Sequence, residues 1–175
     1  MSARARQEKA IARPAALAVV LASSVVFLRV ETMLAVVNGE LARRLAPSML
    51  GMAGAGLVAA LVLYRRRAGE RVSADVQLKN PVSLSAAFQF ALLFAVVLVG
   101  SKAANAWLGA AGLYLAAAAA GTTDMDAISL SMADLAGGQI PPGVAAGAVV
   151  LAGLANTAVK GVTSVALGGG AFGRF

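Results

Sequence analysis

The sequence contains neither cysteine nor histidine. Those two absences exclude disulfides, thiolate metal sites and imidazole-based acid–base or metal chemistry. Charged residues make up only 13% of the chain and aromatics 5%, too few for an ion-pair-laced soluble surface or a basic face interleaved with stacking aromatics. What the chain has in abundance is apolar: 59% hydrophobic residues and a mean hydropathy of +0.80, the composition of an integral membrane protein. The formal net charge is +7. The bases fall at the ends of apolar segments, where they orient membrane helices, so the partner they imply is the lipid bilayer and not nucleic acid. Any chemistry rests on Asp, Glu, Lys, Arg, Asn, Ser and Thr.

The basic residues Arg4, Arg6, Lys9 and Arg13 followed by an apolar run from Pro14 to Leu28 mimic a signal peptide. The apolar character resumes beyond Arg29 and Glu31 through Val37, longer than a secretory signal, so the segment reads as a retained membrane span. Five spans are expected, at about 14–37, 47–64, 81–106, 111–134 and 144–167, with Pro14 in a first helical turn. They form one polytopic membrane domain over 14–170, between a basic cytoplasmic N-terminus at 1–13 and a tail at 171–175. The connection 38–46 reads as a polar turn, and Gly51, Gly54 and Gly56 mark the second span as a packing helix. Lys102 and Trp107 mark the far interface of the third span, and Tyr114 the outer end of the fourth. Asp134 and Gln139 belong to a solvated cytoplasmic end. Nine Lys or Arg fall in residues 1–13 and 65–80 against two in 38–46, which places the N-terminus in the cytoplasm and, with five spans, the two termini on opposite sides.

Gly121-Thr122-Thr123-Asp124-Met125-Asp126-Ala127 sets two carboxylates inside the fourth span. Ionisable groups at that depth cost about 2.5–3.5 kcal/mol each on insertion scales and call for a function or a partner. In a structural reading Gly121 interrupts the span near the bilayer midplane, Thr123 caps a second half-helix, and Asp126 completes a capping box. In a functional reading the same interruption offers carboxylate and hydroxyl oxygens to an ion. Asp124, Asp126, Thr122 and Thr123 are hard oxygen donors, suited to Mg²⁺, Ca²⁺, Na⁺ or a proton.

On the fifth span Asn156, Lys160 and Ser164 recur at intervals of four and share one face. Lys160 either faces the carboxylate pair as a counter-charge or snorkels to the outer interface. Arg29 and Glu31 stand about 200° apart on a helix and cannot face each other, so each needs an ion-pair partner on another helix or at the interface. The glycines at 168–170 follow a membrane span and carry no phosphate-binding meaning. No nucleophile–base pair or metal-ligand cluster of known spacing appears, and the chain reads as a non-enzyme.

Lys79-Asn80-Pro81, Gly109-Ala110-Ala111-Gly112-Leu113-Tyr114, the Gly121–Ala127 block with Ser129-Leu130-Ser131-Met132-Ala133, and Ala155-Asn156-Thr157-Ala158-Val159-Lys160 together carry a resemblance. With Phe27-Leu28-Arg29-Val30 they resemble the C-terminal membrane domain, of unknown function, of MgtC/SapB-type bacterial and archaeal proteins. The resemblance implies a multi-pass protein of the bacterial or archaeal cytoplasmic (inner) membrane and points toward ion handling, through the association of that group with magnesium.

The sequence thus leads to an all-α integral membrane protein of about five transmembrane helices, the fourth interrupted. The leading function is a transporter or channel-like module for a small cation of the Mg²⁺, Na⁺ or H⁺ class. Thr122, Thr123, Asp124, Asp126, Asn156 and Lys160 would form its ion site. No cofactor is expected beyond a bound Mg²⁺ or other hard cation on Asp124 and Asp126. The alternative is a non-transporting membrane subunit whose buried charges fix assembly with a partner membrane protein. Because five small spans enclose little cavity, a homo-oligomer such as a dimer is expected.

Overall fold

The computed structural model describes residues 3–65 and 84–167, and among them every regular element is an α-helix: α1 (Ala3–Val37), α2 (Gly39–Arg65), α3 (Leu84–Gly121), α4 (Met125–Leu135) and α5 (Pro142–Leu167). The protein is all-α and membrane-like. Among the described residues four helices are long and apolar enough to cross a membrane, through Leu17–Val37, Gly39–Arg65, Ala87–Gly121 and Pro142–Thr163. The polar connections 66–80, the start of the third expected span at 81–83, the glycines 168–170 and the tail 171–175 lie outside the described residues, as does the side chain of Ser164.

The first two helices form a hairpin with a much tighter turn than the expected 38–46. Asn38 alone separates them. Its carbonyl accepts from Ala42 N at 3.0 Å and its side-chain Oδ1 accepts from Leu41 N at 3.1 Å, capping α2. Residues 39–46 are helical because Leu41, Ala42 and Leu45 face the core while Glu40 and Arg44 pair at 3.1 Å on the solvated side. Pro47 therefore sits inside α2 and does not open it. α1 likewise begins at Ala3, ahead of Pro14, so the basic residues 4–13 prolong the helix.

The interruption expected in the fourth span is present, at 122–124, but its two halves lie side by side and not end to end. Gly109, with φ 56° and ψ −140°, occupies backbone space open to glycine, and it divides α3 into a first arm (84–108) and a second arm (110–121). The chain doubles back at this corner: a side chain at Gly112 would run into the Ala104 carbonyl, which a straight helix would hold about 12 Å away. Lys102 Nζ stands 3.4 Å from Asp134 Oδ2. In a single broken rod Asp134 would lie about 33 Å from Gly112, beyond the reach of Lys102. The second arm instead rises beside α5, with Tyr114 against Gly147 and Gly121 against Ala152. α4 then descends from Met125, packed on Gly153, to the turn that starts α5.

The second arm and α4, about 18 and 16 Å long, thus form a re-entrant hairpin that enters and leaves the bundle by one face and whose height is about half the thickness of a hydrocarbon layer of about 30 Å. Its ends, Asn38 and the Gly109 corner share one face of the bundle, here the turn face. α1 begins, α2 ends, α3 begins and α5 ends at the opposite face. Lys102 and Asp134, expected at opposite interfaces, therefore meet, and the described ends of the chain lie on one side.

α4 is the shortest helix and the most enclosed. Met125, Ala127, Ile128, Ser129, Ser131, Met132, Ala133 and Leu135 are all buried, packed with Val30, Leu34, Leu45, Met49, Leu113 and Val149 into one core. Small residues make this closeness feasible, since packing between membrane helices depends on van der Waals fit and not on escape from water. A Cβ at Gly121 would lie 2.6 Å from the Ala152 backbone, and one at Gly153 would lie 3.1 Å from Met125 and from Phe27.

Candidate functional site

The tip of the hairpin is built from its own hydrogen bonds. Thr123 N and Asp124 N donate to Ala120 O at 3.0 and 2.8 Å, and Thr122 Oγ1 donates to Ala119 O at 2.7 Å, closing the second arm. Asp124 leaves the helix with φ −148° and ψ 115°, and its Oδ1 accepts from Asp126 N at 2.8 Å and Ala127 N at 3.5 Å. The cap of α4 is therefore Asp124. Thr123, the expected cap, is exposed one residue too early, and Thr122 is exposed beside it.

Asp126 points from the first turn of α4 toward α1, where its Oδ2 accepts from Arg29 Nη2. This settles the partner of Arg29 between the two alternatives. The other carboxylate oxygen, Oδ1, is buried and has no hydrogen-bond partner among the described residues. The two side chains differ in setting: that of Asp126 is 15% exposed and that of Arg29 63%. Arg29 lies about 18 Å from Leu17, well inside its span. An ion pair there has one side in packed protein and one side open.

Glu31 shares nothing with that pair. It stands on the side of α1 that carries Ser24, which packs against Gly56 of α2. Its Oε2 is buried without a hydrogen-bond partner among the described residues. Asn156 is buried on α5. Lys160 lines a cavity of about 360 Å³ between α1, α2 and α5, together with Val19, Ser23, Phe27, Met52 and Leu154. That cavity is apolar in lining and lies on the opposite-face side of the hairpin tip. Of the expected six-residue site, Asp124 and Asp126 share the tip and Lys160 of α5 lies close enough to act on the Asp126 carboxylate as a counter-charge, whereas Thr122 and Thr123 turn outward and Asn156 is buried within α5.

Sequence reasoning passed over two polar residues. Asn38, which looked like part of a turn, also donates from Nδ2 to Ala133 O at 3.1 Å, tying the α1–α2 turn to α4. Ser129, one helical turn beyond Asp126, is fully buried with no partner for its hydroxyl among the described residues. An Asn-Gly step between two apolar segments is the signal that marks the first. The second stands in the Ser129–Ala133 stretch that carries the resemblance, but no spacing singles it out. A second cavity, about 340 Å³ and polar, opens at the turn face between Asn38, Glu40, Ala136, Gly137, Gly138 and Pro142.

The sequence matches a domain of unknown function, DUF4010, over residues 1–168. The chain belongs to the DUF4010 family. An uncharacterized protein of Aquifex aeolicus (strain VF5) is 32% identical over 114 residues, 64% of this DUF4010 chain and 50% of the relative. The DUF4010 chain thus spans half the length of that relative. No solved structure matches it.

Proposed function

We propose that this DUF4010 protein is a membrane module that moves a proton or small monovalent cation, with Asp126 as the binding carboxylate and Arg29 as its built-in counter-charge. One observation carries this reading. Asp126 spends one oxygen on Arg29 and keeps the other buried and unpartnered at the tip of a re-entrant hairpin. Re-entrant, non-spanning backbone is tolerated at membrane depth where it is buried in protein or lines a cavity. A carboxylate held by an internal base can exchange that base for an incoming cation, and release it when the base returns.

The charge balance favours a monovalent species over Mg²⁺. Asp124 and Asp126 stand against Arg29 and Lys160, and Asp124 commits Oδ1 to its cap. The resemblance to the MgtC/SapB group lends weight to ion handling; neither the family match nor the Aquifex relative extends to that group. We assign the protein no catalytic chemistry.

The cytoplasmic membrane is the proposed location, with the opposite face inward. Arg4, Arg6, Lys9, Arg13 and Arg65 belong to that face, against Arg43, Arg44 and Lys102 at the turn face. A homo-oligomer belongs to this reading because one copy encloses little cavity; Leu84, Phe88, Leu92, Val96 and Val99, exposed on the first arm of α3, are covered by lipid as well as by a second copy.

The second reading, a non-transporting subunit, draws on the exposed side of Arg29, which a partner membrane protein would cover. Proton and sodium flux into proteoliposomes separates the two, comparing the natural protein with Asp126→Asn. Flux that falls at least tenfold in the variant, with assembly unchanged, is expected. Equal flux, or none in either, together with loss of a partner in Asp126→Asn, overturns transport in favour of the subunit.

A further inference from the structure

Asp126, Ser129, Ala133 and Gly137 follow one another at steps of three, four and four, and so mark one side of α4 and the turn that continues it. Each step advances about 5–6 Å toward the turn face. Every position on this line offers a polar atom or open space. Oδ1 of Asp126 and Oγ of Ser129 are buried and lack a hydrogen-bond partner among the described residues. The carbonyl of Ala133 receives the Asn38 amide at 3.1 Å. Gly137, with Asn38 and Glu40, borders the polar cavity of about 340 Å³. The side of α4 turned away from this line carries Ile128 and Leu135, both fully buried and apolar.

Buried oxygens in native proteins nearly always have a protein or water partner, and at membrane depth an unmet one costs several kcal/mol. Two of them one helical turn apart, leading to a polar cavity, describe where ordered water belongs. The cavity beside Lys160, on the other side of the tip, is also lined by Ser23, Ser24 and Thr157, but the Ser24 and Thr157 hydroxyls are spent on Val20 O and Gly153 O, each at 2.9 Å.

We propose that the turn-face cavity is the mouth of a narrow aqueous path along the Ser129 side of α4, by which a proton or monovalent cation reaches Oδ1 of Asp126, and that Asn38 is its gate. The proposal rests on Asp126 being the binding carboxylate. Asn38 suits the role because its single amide joins the two elements that flank the path, α1–α2 through the Leu41 cap and α4 through Ala133. Breaking the Ala133 bond would release α4 from the α1–α2 turn beside the path.

The chain has no cysteine, so introduced thiols report without background. Ser129→Cys and Ala133→Cys, each in sealed vesicles, are treated from either side with a membrane-impermeant cationic methanethiosulfonate, with Ile128→Cys as the control on the far side of α4. Both path positions should react from the turn face and not from the opposite face, while Ile128→Cys stays unreactive. Adding Asn38→Ala should speed the reaction at Ser129→Cys roughly fivefold, the factor that one ordinary hydrogen bond gives to an opening equilibrium. Silence of both path positions from both sides, reaction from the opposite face, or equal reaction at Ile128→Cys overturns the path. An unchanged rate with Asn38→Ala overturns the gate. The readout is access and not flux: labelling in a protein that moves no cation would sink transport and leave the path, and flux without labelling would do the reverse.

Discussion

Lys102 Nζ lies 3.4 Å from Asp134 Oδ2, so the end of the first arm of α3 and the end of α4 share one face of the bundle. Single cysteines at Lys102 and Asp134 should therefore be labelled by an impermeant reagent from the same side, the side that also labels Asn38→Cys. Labelling of Lys102→Cys and Asp134→Cys from opposite sides would restore a continuous fourth span and remove the re-entrant hairpin.

Glycine at 121 is required by space. Gly121→Leu forces a side chain into the Ala152 backbone, 2.6 Å from where a Cβ would stand. A loss of at least about 1–3 kcal/mol is expected, read as a lowered unfolding temperature in detergent. Gly54→Ala, with nothing within 4 Å of its Cβ position, is the control and should leave that temperature within a degree or two.

The cap of α4 is tested by a pair of neighbours. Asp124→Ala removes the acceptor for Asp126 N and Ala127 N and should cost about 1 kcal/mol of stability, with amide exchange rising in the first turn of α4. Thr123→Ala should change stability by less than about 0.5 kcal/mol. The reverse order would assign the cap to Thr123.

The Arg29–Asp126 pair should behave as a unit. Arg29→Met takes from the carboxylate of Asp126 its hydrogen-bonded base, at a cost of roughly 1–3 kcal/mol, moderated by the open side of the pair and by Lys160. Arg29→Met combined with Asp126→Asn should recover at least half of that loss in a double-mutant cycle. Simple additivity of the two changes would show that the residues act independently.

Much of this was legible in the sequence. The apolar runs announce the long helices, the Gly121–Ala127 block announces the interruption, and the polar residues within the spans announce Arg29 and Asp126. The reversal at Gly109 was legible, because Lys102 and Trp107 close the third expected span at 106 and the fourth opens at 111. The direction of the chain after 121 was not, since a broken span that continues and one that turns back have the same hydropathy. Only contacts between distant residues, such as Lys102 with Asp134, reveal that the halves fold together. The cap was misplaced by one residue because Thr and Asp both serve well at that position and lie side by side. Ser129 escaped notice because a serine in a small-residue helix ordinarily bonds its own backbone, as Ser131 does to Ala127 O at 2.8 Å.

The re-entrant hairpin also fixes how the site would sense the membrane potential. α4 carries Asp126 about half a hydrocarbon thickness from the turn face. A unit charge arriving there from that side falls through about half of the transmembrane voltage, roughly 1.2 kcal/mol for each 100 mV. Occupancy of Asp126 would then shift with voltage about half as steeply as for a charge that crosses completely, so the electrical distance of the site can be read from the slope.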